Sequence, residues 1–178
     1  NIAFLKTSGI DIDASYRTAL GNGALGLRLY LNYLQKFDAQ QYAAAPIAHY
    51  AGVNVVSSNP AGFPRWRGNL SIDYTNGPFG VTIAEQYIHK MRLDIPGGPL
   101  PIQFIDDHVK AVWYTDLAVR FTIPHGDGNF ELFGNVNNLF DKKPPLIPGT
   151  VPGVNLPTNI AVYDFIGRAF TAGVRFRF

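Results

Sequence analysis

The chain closes on GRAFTAGVRFRF (residues 167–178), and the reading of this stretch decides the fold. One register carries Phe170, Ala172, Val174, Phe176 and Phe178; the other carries Ala169, Thr171, Gly173, Arg175 and Arg177. A period of two belongs to a β-strand with one apolar and one polar face. Terminal residues fray unless a sheet holds them. An aromatic residue in last place on the apolar face therefore says where that face lies.

Working back from the end, the alternation recurs. SGIDIDASYRTAL (8–20) sets Ile10, Ile12, Ala14 and Tyr16 against Asp11, Asp13, Ser15 and Arg17. ALGLRLYLNYLQKF (24–37) sets alternate leucines and Tyr33 against Gly26, Arg28, Tyr30 and Asn32. WRGNLSIDYT (66–75) does the same, and so do 79–90, 109–123, 129–138 and 166–178, which makes seven candidate strands. Most are at least ten residues long, where about 5–6 is usual in globular sheets. GNG, NGP and PHGDG form tight turns. The other connections, 38–65, 91–108 and 139–165, are long and alternate with the short ones. Short turns at one end and long loops at the other are the layout of a transmembrane barrel.

Aromatic spacing agrees. Trp66 and Tyr74, Phe79 and Tyr87, Trp113 and Phe121, and Phe170 and Phe178 are each eight residues apart on apolar registers. Tilted by about 40°, such a span covers roughly 20 Å, near the roughly 25 Å apolar band between the aromatic girdles of outer-membrane barrels. The polar registers then point into the lumen: Asp11, Asp13, Arg17, Arg28, Asn32 and Arg67 from the first three strands. From the later strands come Asp73, Asp116, Arg120, Glu131, Asn135, Arg175 and Arg177. Charges of both signs occur among them. Glu85 is out of place, because it shares a register with Val81, Ile83 and Tyr87 and would face lipid unless a bulge turned it inward.

Composition narrows the classes. Only 16% of residues are charged, against about 25% in typical soluble proteins, and no Lys/Arg track forms, so no nucleic-acid partner is expected. With no cysteine, disulfides and thiolate metal sites are excluded. No apolar run reaches the roughly 20 residues of a membrane helix. Asn1 is not a natural start, and the chain is expected to be a piece of something longer.

Motifs with chemistry are few. GNGALG (21–26) matches a dinucleotide fingerprint but leads into a strand pattern, so a hairpin turn is expected and no cofactor. Asp106, Asp107 and His108 are adjacent, and on an extended segment they should diverge, which favours a solvated loop end over a metal site. DKKPP (141–145) reads as a strand terminator. No catalytic set can be assembled, and no enzyme activity is expected. Ligand contacts are expected from the long loops, at His49, Tyr50, Trp66, His89 and His108.

NVNNLFDKKPP (135–145), YTDL (114–117), SGIDID (8–13) and YDFIGRAFTAGVRFRF (163–178) carry a resemblance. Over essentially its whole length the chain resembles the C-terminal end of a TonB-dependent outer-membrane receptor. The resemblance implies a barrel of about 22 strands with a separate plug. It implies uptake of a scarce nutrient, such as an iron chelate, cobalamin or a sugar, powered by the inner-membrane TonB complex. The terminal Phe178 resembles the signal read by the barrel-assembly machinery. Neither a plug nor a TonB-binding segment can be matched within 1–178. Other membrane barrels, such as a passive pore or a barrel enzyme, and a soluble all-β binding module are the alternatives. The fold expected is an all-antiparallel up-and-down meander of seven strands with its short turns at one end. A soluble sandwich would instead bury Leu25, Leu27, Leu29, Leu31, Leu70, Ile72, Val81, Ile83, Val119 and Phe176 in a sealed interior.

Overall fold

The computed structural model describes residues 3–55, 61–93, 106–126, 128–147 and 158–177. Its strands are β1 (Phe4–Leu20), β2 (Gly23–Gln40), β3 (Ala48–His49), β4 (Val53–Val55), β5 (Ala61–Phe63) and β6 (Trp66–Asn76). They continue as β7 (Phe79–Ile88), β8 (Met91–Arg92), β9 (His108–Val109), β10 (Val112–His125), β11 (Gly128–Asn137) and β12 (Ala169–Arg177). Seven of them form a wall in the order β1-β2-β6-β7-β10-β11-β12, each pairing antiparallel with its neighbour. These are the seven long strands expected, with ends moved by a few residues. Gly21, Gly77 and Gly126, at φ 59°, 54° and 57°, make the tight turns on one side of the wall, where a left-handed backbone is needed. Gly21 thus belongs to a hairpin, and β2 follows where the nucleotide motif would need a helix.

Pairing is continuous from Val112 to Phe121 against Ile88 to Phe79, so no bulge displaces Glu85. The register shift of the wall lies instead between Ser8 and Gly9. Below it, Ile10 pairs with Tyr33 and Ile12 with Leu31; above it, Phe37 pairs with Thr7. The extra residue thereby swings Phe37 to the other side of the sheet, where it packs on Tyr50 and Phe63.

The expectation of an all-antiparallel chain fails in one place. The loops contain a second sheet, β5-β4-β8-β9, in which β4 and β8 pair in parallel at Val53 and Arg92. These strands are two or three residues long and were not visible as periodicity, which needs a longer run to register.

Burial separates a wall from a cap. Ile88, Met91, Leu93, Val109, Val112, Tyr114, Ile147, Val162 and Tyr163 form one buried cluster, at the end of the wall that carries the long loops. None of the ten wall residues named for the sandwich test is buried. Ile83, Val119 and Phe176 are 38%, 39% and 55% exposed. Among the described residues, no sealed interior lies along the wall. An apolar face this extensive marks a surface made to meet something other than water.

Candidate functional site

The polar face of the wall comes first. The register aligns Arg17, Gly26, Asp73, Thr82, Ala118, Asn135 and Thr171 in one row across the seven strands. Asp11, Asp13, Arg28, Asn32, Arg67, Asp116, Arg120, Glu131, Arg175 and Arg177 fall in rows of the same parity, so every charged residue expected on the polar face shares it. Many are paired there. Asn32 Nδ2 donates to Asp11 Oδ1 at 2.6 Å, and Arg28 Nη2 lies 3.3 Å from Asp13 Oδ2. Asp73 accepts from Ser71 at 2.9 Å and from Thr82 at 2.6 Å, and Arg175 bonds Glu131 at 2.6 Å. A concavity of about 830 Å³ opens on this face, bordered by Asp13, Arg17, Arg28, Asp73 and Arg120. A second, of about 510 Å³, is bordered by Glu131, Asn135, Arg175 and Arg177. The polar face is therefore the hollow one.

The opposite face carries the aromatic rows. Tyr33 stacks on Trp66 and Tyr87 on Trp113, each pair with ring centroids 4.4 Å apart, beside the long loops. Phe79 pairs with Phe121, and Phe130 meets Phe176 at 4.9 Å, toward the tight turns. Glu85 stays on this face, where its Oε1 accepts from Thr115 Oγ1 at 2.8 Å.

The five loop residues expected to touch a ligand divide three ways. Trp66 belongs to the aromatic row. Tyr50 packs in the cluster with Phe37 and Phe63. His49, His89 and His108, far apart in sequence, line one cavity of about 390 Å³ together with Arg65, Lys90 and Arg92. Each histidine is held. His49 Nδ1 is 2.7 Å from Asp38 Oδ1, His89 Nδ1 is 2.6 Å from the Tyr87 hydroxyl, and His108 Nδ1 is 2.7 Å from Asp107 Oδ1. Burial first, and then the neighbouring Lys90 and Arg65 charges, hold His89 below its ordinary pKa of 6.5. The three cations were missed in the sequence because Arg65 and the Lys90–Arg92 segment lie far apart in the chain, and they meet where Gly52 abuts the Arg65 side chain and β4 pairs with β8.

Asp106, Asp107 and His108 do not diverge as expected. The His108 backbone amide donates to Asp106 Oδ1 at 3.0 Å and bends the segment back. Their ligand atoms consequently lie within 4.8 Å of one another. Asp107 is also bonded to Arg92 at 3.3 Å, so these carboxylates serve ion pairs within the loop sheet. The DKKPP segment lies beyond the end of β11 and carries the Lys143–Asp141 ion pair at 2.9 Å. That bond, with the Arg168 amide, pulls the Asp141 carboxyl below its ordinary range. Deep in the cap, burial pushes the Tyr163 hydroxyl up. Phe178 lies outside the described residues.

No helix among the described residues is long and apolar enough to cross a membrane, which leaves a strand-built barrel untouched as a possibility. No curated protein and no solved structure matches the chain. The family model for the TonB dependent receptor-like β-barrel matches residues 1–139. With a wall that is hollow and charged on one face, apolar and aromatic-rimmed on the other, the chain belongs to the TonB-dependent receptor β-barrel family.

Proposed function

We propose that residues 1–178 are the C-terminal part of the barrel domain of an active-uptake receptor in the outer membrane of a Gram-negative bacterium. The family is one of outer-membrane transporters, in which a barrel works with a plug and with TonB. The observation that carries the reading is the division of the wall's two faces. One face is apolar over seven strands and needs lipid, while the hollow face presents the paired and unpaired charges that a polar plug can use. Among the described residues, β1 and β12 each keep an unpaired edge of the wall sheet, which further barrel strands would complete.

The transported solute is a scarce nutrient such as a ferric siderophore, cobalamin or a carbohydrate, met first at the loop cap. Asp11, Asp13, Arg17, Arg28, Arg67, Asp73, Asp116, Arg120, Glu131, Arg175 and Arg177 are the contacts offered to the plug. The inner-membrane TonB complex supplies energy through the N-terminal part of the receptor, and Phe178 marks the last strand for the barrel-assembly machinery. Binding and passage need no covalent chemistry and no cofactor.

Uptake of labelled solute by cells carrying the full-length parent tests this, with and without a functional TonB complex. Accumulation that stops when TonB is removed supports the receptor. Equal uptake without TonB makes the protein a passive pore. Hydrolysis of the solute makes it a barrel enzyme, and a parent that fractionates as a soluble monomer ends the membrane reading.

A further inference from the structure

The cavity at the loop end has a chemistry that the plug-facing wall does not share. Arg65, Lys90 and Arg92 line it with three histidines, and no carboxylate is among its described lining residues. Lys90 is exposed and has no ion-pair partner among the described residues. Arg65 gives one Nη1 bond, 2.9 Å, to the Gln35 carbonyl, which leaves most of its five donors to face the cavity. Arg92 is bonded to Asp107, and behind the rim Asp38 and Asp107 hold His49 and His108 in place. Converging guanidinium and ammonium donors, with no carboxylate among the described lining residues, fit a compact oxyanion.

Position narrows the source of that anion. The Tyr87 hydroxyl reaches His89, and the two rings lie 6.0 Å apart. The cavity thus adjoins the aromatic row formed by Tyr33, Trp66, Tyr87 and Trp113. Aromatic rows of this kind settle at headgroup level, and basic pockets at that level bind anionic headgroups. Resting on the membrane reading above, we infer that this cavity binds the phosphate of a phosphomonoester lipid at the outer rim of the barrel. Lys90 and Arg65 contact the phosphate oxygens, and the acyl chains run down over the leucine-rich face of β2 and β6.

The full-length parent in phosphatidylcholine nanodiscs containing dioleoyl phosphatidic acid tests this, with retained lipid counted by native mass spectrometry. Inorganic phosphate is titrated in parallel in phosphate-free detergent. The expected result is selective retention of phosphatidic acid, weakened about tenfold or more in Arg65→Gln/Lys90→Gln. The single Lys90→Gln, at an exposed position, should weaken it in the same direction without disturbing the Arg65–Gln35 bond. Inorganic phosphate binding as tightly as the lipid would assign the site to a soluble anion and overturn the lipid source. Unchanged retention in both variants, in a parent that still enters nanodiscs and transports by way of TonB, overturns the inference and leaves the receptor standing. A parent that never enters the bilayer defeats the receptor reading first, and the inference with it.

Discussion

Asn138 Nδ2 donates a 2.9 Å hydrogen bond to Asp164 Oδ2, tying the end of β11 to the approach to β12 across 26 residues of chain. Asn138 is 2% exposed and holds φ 51°, a conformation that asparagine tolerates better than most residues. It also donates its backbone amide to Asp116 at 2.7 Å and accepts from the Lys142 amide at 2.7 Å. Asp164 in turn accepts from the Ile166 amide at 2.9 Å. The NNLF and DFIGR motifs are thus two halves of one clasp, which sets the last strand beside its neighbour.

Asn138→Gly keeps the backbone conformation accessible and removes the side-chain bonds. It should lower stability by about 1–3 kcal/mol, the usual cost of leaving buried polar groups unpaired. The denaturant midpoint of the refolded full-length parent in micelles is the measurement. A midpoint equal to wild type would reduce the clasp to a packing accident.

Glu85 and Thr115 should behave as a coupled pair. Thr115→Val deprives the carboxyl of its donor and should cost about 1–3 kcal/mol. In a Glu85→Leu background the same change should cost much less. The difference, read from a double-mutant cycle, is the coupling. Additive effects would mean that the hydrogen bond contributes nothing to the outer face.

His89 lies just beyond β7, and its depressed pKa fixes a sign. An unfolded chain binds the proton first as pH falls, so the folded state loses stability from about pH 6.5 down to the folded pKa and then levels off. Above pH 6.5 the ring contributes no slope. The denaturant midpoint of wild type should drop relative to that of His89→Gln as pH falls through this window. Parallel curves would remove His89 from the pH response.

Gly62 abuts Val162, and a methyl group at position 62 would overlap Val162 Cγ2. Gly62→Ala should loosen the cap and speed limited proteolysis of the loops while leaving the wall's micellar unfolding midpoint close to wild type. Adding Val162→Ala should restore much of the protection. Failure of the second change to rescue would place the strain elsewhere.

Deleting Phe178 should lower the amount of parent reaching the outer membrane. If the residue serves assembly alone, molecules that arrive should unfold near the wild-type midpoint, whereas loss of a core ring typically costs about 1.5–3 kcal/mol. Quantitative surface labelling separates the two effects. Normal surface levels would argue against an assembly role.

The wall was legible because a strand of nine or more residues repeats its alternation often enough to fix both its type and its two faces. Arg28 and Leu29 are assigned to opposite sides by that pattern, and the register bears it out. The cap was not legible. Val53–Val55 and Met91–Arg92 are too short to carry a period, and their pairing joins segments nearly forty residues apart. Reading each histidine singly also hid the cavity, because Arg65, Lys90 and Arg92 acquire meaning only as neighbours of His89. Asn138 was visible as part of a motif, but its work depends on Asp164, a partner that no local spacing could name.

Buried Asn159 Nδ2 donates to buried Asn54 Oδ1 at 2.8 Å, Val162 fills the space above Gly62, and Met91 lies in one cluster with Ile147 and Tyr163. Three loops that leave the wall at different strands have therefore been built to fit one another. Loops of this kind are not interchangeable parts. A single loop grafted from another receptor would arrive without its counterparts, exposing apolar surface on the two that remain. New specificity would have to be gained either by exchanging the three as a set or by changing residues on their outer surface alone. Diversity among such caps should accordingly sit at the tips, above a shared and slowly changing interior.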